Sequence, residues 1–389
     1  MHRWPLINDN IDESDKEALI KFLKEPNVRF TQSKYVREFE KQWSEWLGVK
    51  HSIFVNSGAS GNYIMTAILK DKMGVGEVIV PPIGWISDIA PIVQMGMTPV
   101  FVDISFENMA MTFENIRNAI TEKTKAIVLV HVLGFDAISN DILELCDKKN
   151  IMIIEDCCES HGATHDGHKV GTFGDMSNFS FYFGHHMTTI EGGMVCTNDD
   201  DLYDYMRLFR SHGMTRECSD SLKKRYEKNY PDLNPLFTFA VPGFNMRNTE
   251  MNAIIGLNQI KRLDKNIECR VENLNIWLDS LDKNRFFVEF KREGNSNFSL
   301  PLVLKEKNHK LWNDIQDLLV LEKVEYRTGT AGGGNQVRQP YLLEGKYSYR
   351  VMGNLMNTDH IHEFGLYIGN HCDVDHVEIK RLCSALNGL

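Results

Sequence analysis

Residues 151–159 read Ile-Met-Ile-Ile-Glu-Asp-Cys-Cys-Glu, a short apolar run that ends on carboxylates. A run of this length, rich in isoleucine, is typical of a strand that is buried on both faces of a sheet. Similar runs occur before and after it, with helical patterns between them. This alternation predicts an α/β fold in which helices cover both faces of a mostly parallel sheet.

The predicted strands of this sheet are residues 52–55, 77–80, 99–102, 126–130, 151–154, 179–183 and 193–197. From residue 251 the pattern changes to a long amphipathic helix over 251–281, and the elements predicted after it are strands at 298–303, 323–326 and 365–368 and a terminal helix from Val374. At roughly 100–200 residues per domain, the 389 residues predict a large domain over 1–250 and a smaller α+β domain over 251–389.

The composition excludes several classes of protein. The chain has 43 Lys and Arg against 53 Asp and Glu, a net charge of −10, and therefore lacks the basic surface of a non-specific nucleic-acid binder. Its 42% hydrophobic content is too high for a disordered chain. No apolar run approaches the roughly 20 residues of a membrane-spanning helix, and no signal-peptide pattern follows residues 1–5. The eight scattered cysteines contain no cluster for an iron–sulfur centre and predict a reducing cytoplasm.

Two segments lie where ligands bind in such folds, beyond the carboxyl ends of the strands. Residues 56–62 read Asn-Ser-Gly-Ala-Ser-Gly-Asn between a strand and a helix. Small residues there expose backbone N–H groups at a helix N-terminus, which is a geometry for phosphate, although a simple turn has the same composition. Asp156 follows a buried strand, where its carboxylate could pair with a protonated ring nitrogen or cap the next helix.

A third segment, residues 180–193, contains the adjacent histidines His185 and His186. Two neighbours in an extended segment point in opposite directions, so a metal ion held by both is not predicted. General acid–base catalysis by one imidazole and a polar loop without a catalytic role both remain open.

Together these segments resemble the DegT/StrS-like sugar aminotransferases, a family of pyridoxal-phosphate enzymes of fold type I. The resemblance runs over essentially the whole chain, and the segments that carry it are residues 57–59, 81–85, 155–159, 180–193 and 242–251. In that family, the residue six before the acidic member of the (Glu/Asp)-Gly-Gly motif is the lysine that binds the cofactor covalently. Counting back from Glu191 gives 191 − 6 = 185, and residue 185 is His.

A histidine at this position resembles one subgroup, the GDP-4-keto-6-deoxymannose 3-dehydratases. The patterns His-His-x-x-Thr-x-Glu-Gly-Gly and Pro-Gly-Phe-Asn-x-Arg match that subgroup. Imidazole cannot form the imine link of a lysine, so the resemblance implies pyridoxal 5′-phosphate and pyridoxamine 5′-phosphate that are not covalently bound. His185 would shuttle protons in both directions, for which an unperturbed pKa of about 6.5 is suited.

The implied reaction is removal of the C3 hydroxyl from a nucleotide-linked 4-keto-6-deoxy sugar, with GDP as the expected nucleotide. L-Glutamate would be the amino donor, and the products would be ammonia and a 4-keto-3,6-dideoxy sugar for surface polysaccharide. Two alternatives stay open: a nucleotide-sugar aminotransferase and a catalytically dead sensor that keeps the fold. The sugar could also be a heptose.

The resemblance assigns cofactor-binding roles by position to Ser57, Gly58, Ala59, Trp85, Asp156, Glu159, Ser180 and Asn245. Within this set, the residues at 57–59 and Ser180 would hold the phosphate and Asp156 the ring nitrogen. Trp85 would stack on the ring, where the alternative is a core aromatic residue.

Glu159 is expected to contact the cofactor or to position His185. Asn245 would reach the phosphate in the neighbouring subunit, which implies a homodimer with shared active sites. Weaker candidates for the sugar or the nucleotide are His212, Arg216 and Arg247. Arg247 could equally form a structural ion pair.

Overall fold

The computed structural model describes residues 3–389. Its strands are β1 (His51–Val55), β2 (Glu77–Val80), β3 (Thr98–Val102), β4 (Thr124–Val130), β5 (Met152–Asp156), β6 (Thr164–His165), β7 (His168–Lys169), β8 (Met176–Ser180), β9 (Gly193–Thr197), β10 (Ser299–Val303), β11 (Tyr326–Thr328), β12 (Arg350–Met352) and β13 (Gly365–Gly369).

The helices alternate with these strands and then dominate the C-terminal part. They are α1 (Glu13–Leu23), α2 (Lys34–Leu47), α3 (Gly58–Met73), α4 (Ala90–Gln94), α5 (Phe113–Ala119), α6 (Asn140–Lys149), α7 (Asp200–Arg210), α8 (Asp220–Asn229), α9 (Glu250–Gln259), α10 (Leu263–Ser280), α11 (His309–Leu321), α12 (Pro340–Leu343), α13 (Met356–Phe364) and α14 (His376–Asn387). Among residues 3–389, no helix combines the length and the apolar character needed to cross a membrane.

The central sheet has eight strands in the order β1-β9-β8-β5-β4-β2-β3-β12. β9 is antiparallel to both of its neighbours, and the other pairings are parallel. The α/β fold with a mostly parallel sheet is therefore confirmed. Because β2, β4, β5 and β8 run in the same direction, the loops at their carboxyl ends meet at one edge of the sheet.

Aromatic packing fixes the N-terminal helices against this sheet. Phe39 of α2 packs edge-on against Phe54 of β1, with ring centroids 5.0 Å apart, and Trp43 lies 4.8 Å from Phe181. All four side chains are fully buried. Burial stabilises each of them by about 3 kcal/mol, and the edge-to-face geometry adds about 1 kcal/mol per pair. The loop that follows β8 therefore starts from a rigid base.

The helix predicted over 251–281 is two helices, because a 3₁₀ turn at Ile260–Arg262 separates α9 from α10. Arg262 donates a 2.5 Å hydrogen bond to the buried carboxylate of Asp15 in α1, and Gln259 donates to the same carboxylate at 2.7 Å. These contacts hold the junction against the N-terminal helix. Long-range contacts of this kind decide where the helix breaks, which the amphipathic pattern alone does not show.

Two predicted strands have different bounds in the structure. The strand predicted over 179–183 ends at Ser180, because the hydroxyl of Ser180 accepts a hydrogen bond from the Tyr182 amide (3.2 Å) and the chain turns away. The strand predicted over 323–326 is β11, two to three residues later, paired with β13 in a separate sheet of order β10-β13-β11.

The C-terminal part also returns a strand to the large sheet. β12 pairs in parallel with β3, with Val351 opposite Phe101. The division of the chain after residue 250 stays a prediction, and this strand crosses it.

Candidate active site

The segment after β1 forms the N-terminus of α3. Ser57 is its N-cap, and the hydroxyl of Ser57 accepts a 3.1 Å hydrogen bond from the Ser60 amide. The amides of Gly58 and Ala59 lie in the first turn, where helix geometry supplies no acceptor for them. With the dipole of a 16-residue helix behind them, these amides have the arrangement that an anion site requires.

Gly58 is required by a close approach of two strand ends. A Cβ at this position would lie 2.8 Å from Cβ of Ser180 and 2.9 Å from Sγ of Cys158. The carbonyl of Gly58 also accepts a 2.7 Å hydrogen bond from Asn178 in β8. The predicted phosphate residues at 57–59 and Ser180 are therefore neighbours, as the sequence analysis expects.

Asp156 ends β5 and points towards α3. One of its oxygens accepts a 2.7 Å hydrogen bond from the side-chain amide of Asn62, and the other accepts from the backbone amide of Cys158 (3.0 Å). The alternative that Asp156 caps a helix is wrong, because residues 157–163 form turns. The carboxylate is buried and fixed in direction, as a partner for a ring nitrogen must be.

Glu155 and Glu159 lie in different surroundings. The fully buried carboxylate of Glu155 accepts hydrogen bonds from the backbone amides of Gly171 and Gly174, both at 2.6 Å. It anchors the chain between β7 and β8. Glu159 accepts one hydrogen bond, from the Leu133 amide at 2.7 Å.

Burial raises the pKa of Glu159 to about 7, and the negative charge of Asp156 acts in the same direction. Glu159 is therefore a mixture of acid and carboxylate near neutral pH. Glu159 follows Asp156 in a turn. A carboxyl group of this kind can donate or accept a proton close to a bound ligand.

His185 lies in the loop after β8, held by its backbone. Its amide donates to the carbonyl of Tyr182 (3.1 Å), and its own carbonyl accepts from the side chain of Asn10 (2.9 Å). The imidazole packs beside Phe298, with ring centroids 5.2 Å apart. Burial and then the charge of Arg270 lower the pKa of His185 to about 4, while the charge of Asp156 raises it. The imidazole is neutral at pH 7 and can accept a proton.

His186 points into the protein instead. It is fully buried, and its Nε2 lies 3.0 Å from the carbonyl of Ser296. His161 lies next to both histidines, with ring centroids 6.0 Å from His185 and 5.1 Å from His186. The two adjacent histidines thus have different surroundings.

Trp85 precedes a 3₁₀ turn at Ile86–Asp88 and is 59% exposed. The alternative of a core aromatic residue is therefore wrong. Ser180, at the end of β8, is buried, and its hydroxyl retains its own hydrogen for donation.

The remaining candidates lie between α7 and α9. Asn245 is exposed and accepts a 3.0 Å hydrogen bond from Nε of Arg247. Within residues 3–389 Arg247 forms no ion pair, so its structural alternative finds no support. His212 is exposed with a φ of 61°, and Arg216 donates to the carbonyl of Leu236 (3.1 Å).

Sequence reasoning missed Asn62, Asp88, Asn178 and Arg270. Asn62 donates to the carboxylates of both Asp88 and Asp156, and Asn178 bonds to Gly58 and Asn62. A signal for Asn62 was available, since it lies one helical turn after Gly58, on the face of α3 that meets the sheet. Arg270 is 85 residues from His185 (270 − 185), and no local pattern connects them.

The family model for the DegT/DnrJ/EryC1/StrS aminotransferase family matches residues 9–387. The chain belongs to this family, and the resemblance found in the sequence is confirmed.

Two relatives and one solved structure indicate which members of the family this chain is similar to. A GDP-4-keto-6-deoxy-D-mannose 3-dehydratase of Yersinia pseudotuberculosis is 34% identical over 99% of this chain and 98% of its own. The crystal structure of a GDP-4-keto-6-deoxymannose-3-dehydratase with a trapped PLP–glutamate geminal diamine is 30% identical, with a TM-score of 0.89 and coverage of 99% and 100% of the two chains. A GDP-perosamine synthase of Caulobacter vibrioides is 37% identical over 61% of this chain and 59% of its own.

Proposed function

We propose that this protein is a pyridoxal-phosphate-dependent 3-dehydratase that removes the C3 hydroxyl of a GDP-linked 4-keto-6-deoxy sugar. Glutamate is the amino donor, and ammonia and a 4-keto-3,6-dideoxy sugar are the products. The observation that carries the proposal is His185, a neutral and partly buried imidazole where the family pattern places the cofactor lysine. The full-length similarity to dehydratases supports the substrate class.

The residues present fit pyridoxal phosphate. The first-turn amides at Gly58 and Ala59 and the hydroxyl of Ser180 provide donors for a phosphate, at a loop where a Cβ on Gly58 would clash. Asp156 provides a fixed carboxylate for the ring nitrogen. Trp85 provides an exposed aromatic face. Bound there, the cofactor would supply an electron sink conjugated to the reacting carbons of the sugar.

His185 is the proposed proton carrier. It accepts a proton as a neutral imidazole, then donates that proton to the departing C3 oxygen. An unperturbed imidazole has a pKa near 6.5, but burial and the charge of Arg270 lower the pKa of His185 to about 4. The imidazole is thereby a weaker base and, once protonated, a stronger acid. Donation to a poor leaving group such as hydroxyl benefits from that strength.

The competing function is a nucleotide-sugar aminotransferase, which the family description and the similarity to a GDP-perosamine synthase favour. An aminotransferase in this family uses a lysine that imidazole cannot replace in covalent chemistry. His185 therefore favours dehydration. A dead sensor is disfavoured by the intact arrangement of Asp156 and the phosphate loop.

A homodimer with shared active sites is part of the proposal. Asn245 is exposed, with its side chain oriented by Arg247. Exposed apolar side chains lie on the neighbouring loop at Leu236, Phe237 and Phe239. Apolar surface of this kind marks protein interfaces. The proposal is that Asn245 contacts the cofactor phosphate of the partner subunit.

A cytoplasmic location is also proposed. The eight cysteines are all free thiols, and five of them are buried. This usage is typical of a reducing compartment.

The test is a reaction with purified protein, pyridoxal phosphate, glutamate and GDP-4-keto-6-deoxymannose. The proposal predicts one ammonia and one 2-oxoglutarate released per sugar consumed. Consumption of glutamate with a stable amino sugar and no ammonia would support the aminotransferase instead. Absence of any turnover, with the cofactor bound, would support the dead sensor.

A further inference from the structure

Asp88 is a buried carboxyl group beside the residue that would hold the ring nitrogen. It ends the 3₁₀ turn that follows Trp85 and is 5% exposed. The side-chain amide of Asn62 donates to Asp88 at 3.1 Å and to Asp156 at 2.7 Å, so one amide group bridges the two carboxyl groups. The two carboxyl groups are therefore close neighbours that share one donor.

The second oxygen of Asp88 has no hydrogen-bond donor. Oδ2 is buried and accepts no hydrogen bond. Burying a carboxylate oxygen without a hydrogen-bond donor is energetically unfavourable. If Oδ2 carries a proton, it is a donor, and the neighbouring carboxylate of Asp156 is its acceptor. Protonation therefore explains the orphaned oxygen.

The charges around Asp88 favour the neutral form. The titratable side chains that face it are Asp156, Glu159, Cys158 and Tyr341, and none of these is a cation. No ion pair of Asp88 or Asp156 occurs in the described part of the chain. Two adjacent buried carboxylates cannot both be ionised at low cost. Burial and the charge of Asp156 accordingly raise the pKa of Asp88 well above its usual range.

Gly84 supplies the room for this oxygen. A Cβ at Gly84 would lie 2.8 Å from Oδ2 of Asp88, and the Gly84 carbonyl accepts from Gln336 at 3.2 Å. The pair of carboxyl groups is thus enclosed by backbone on one side and by Asn62 on the other.

We propose that Asp88 is a neutral carboxylic acid that donates a hydrogen bond to Asp156 and thereby positions that carboxylate for the ring nitrogen of the cofactor. It is a positioning residue, and this inference rests on the proposed function. The pair carries one negative charge, which matches one ring N–H. Together with Asn62 and the Cys158 amide, which bond to the two oxygens of Asp156, Asp88 orients this carboxylate before the cofactor arrives.

Infrared difference spectroscopy tests the protonation directly. The difference between wild type and Asp88→Asn at pH 7 should contain the carbonyl band of a protonated carboxyl group. The matched control is Asp204→Asn, which removes a buried carboxylate that accepts from the amide (2.7 Å) and hydroxyl (2.5 Å) of Ser219. The control variant keeps Asp88, so the difference between wild type and Asp204→Asn should lack this band. Absence of the band from the Asp88→Asn difference would overturn the proposal.

Binding of pyridoxamine 5′-phosphate, measured by equilibrium dialysis, tests the positioning role. Asp88→Asn keeps a donor towards Asp156 and should bind within about threefold of wild type. Asp88→Leu has no donor and should bind at least tenfold more weakly, about 1.4 kcal/mol. Equal loss in both variants, or wild-type binding by Asp88→Leu, would contradict the role.

If Asp88→Leu does not fold, the infrared result for Asp88→Asn still decides the question. Neither measurement uses the sugar. Failure of dehydration with the band present would therefore reject only the proposed function.

Discussion

The guanidinium of Arg270, in α10, lies close enough to the imidazole of His185 for its charge to lower the pKa of the histidine. Arg270 is buried, and its Nη1 donates a 2.8 Å hydrogen bond to the carbonyl of Phe298. Burial lowers the pKa of Arg270 itself to about 10, which leaves it charged at pH 7. The arginine therefore acts on the proposed proton carrier without occupying the site of the reaction.

Replacing Arg270 should raise the pKa of His185. In Arg270→Gln the value should move from about 4 towards the usual 6.5, because a nearby positive charge no longer opposes protonation. A ¹⁵N NMR titration of the histidines, with His185→Asn for assignment, measures this shift. The control is Arg292→Gln, which removes a partly exposed partner of Asp279 and should leave the titration unchanged. An unchanged His185 titration in Arg270→Gln would refute the coupling.

Glu159 should make stability fall as pH rises. The pKa of Glu159 is about 7 in the folded protein, and 4.5 is the ordinary value that applies to the unfolded chain. Between pH 4.5 and pH 7 the folded state therefore binds more protons than the unfolded state. The contribution is present below pH 4.5 and is lost as pH rises through 7, in total about 3 kcal/mol. Urea unfolding measures the free energy of unfolding at pH 5 and at pH 8. The decrease between the two pH values should be larger in wild type than in Glu159→Gln. Equal losses in the two proteins would contradict the burial of this carboxyl group.

Gly58→Ala should weaken cofactor binding. The new Cβ would meet Ser180 and Cys158 at 2.8 and 2.9 Å, so the phosphate loop must shift. Overpacking of this kind costs about 1–3 kcal/mol. If this cost falls on the cofactor-bound state, the Kd for pyridoxal phosphate should rise roughly 5- to 140-fold. The control is Gly388→Ala, where the nearest atom would be 3.4 Å away. Similar affinities in the two variants would argue against a phosphate site at this loop.

Shared active sites predict complementation between inactive variants. His185→Asn removes the proton carrier, and Asn245→Asp places a negative charge towards the partner's phosphate. After subunit exchange, half of the dimers are mixed and hold one native site each, so activity should recover to about one quarter of wild type. Turnover of the mixture measures this. If mass spectrometry verifies the exchange of subunits and no activity is recovered, each active site lies within one subunit.

The fold could be predicted because its strands are short apolar runs with a clear period, as at β5, and these depend little on distant contacts. The family resemblance identified His185, since it supplies the count back from Glu191, and the place of Trp85 after a strand predicted its exposure.

The electrostatics of the site could not be predicted in this way. The pKa of His185 depends on Arg270, and the state of Asp88 depends on Asp156 and Asn62, which come from different elements. The break between α9 and α10 likewise depends on Asp15, more than 240 residues away. Such contacts exist only once the chain is folded.

The most direct test of dehydration by a histidine enzyme compares wild type with His185→Lys. Each is given pyridoxal phosphate, glutamate and GDP-4-keto-6-deoxymannose, and the sugar product is identified by mass spectrometry and NMR. Wild type should yield a sugar that lacks the C3 oxygen, with no borohydride-reducible link to the protein, whereas His185→Lys should gain that link and lose dehydration. A wild-type product that retains the C3 oxygen and carries an amine at C4 would contradict the account.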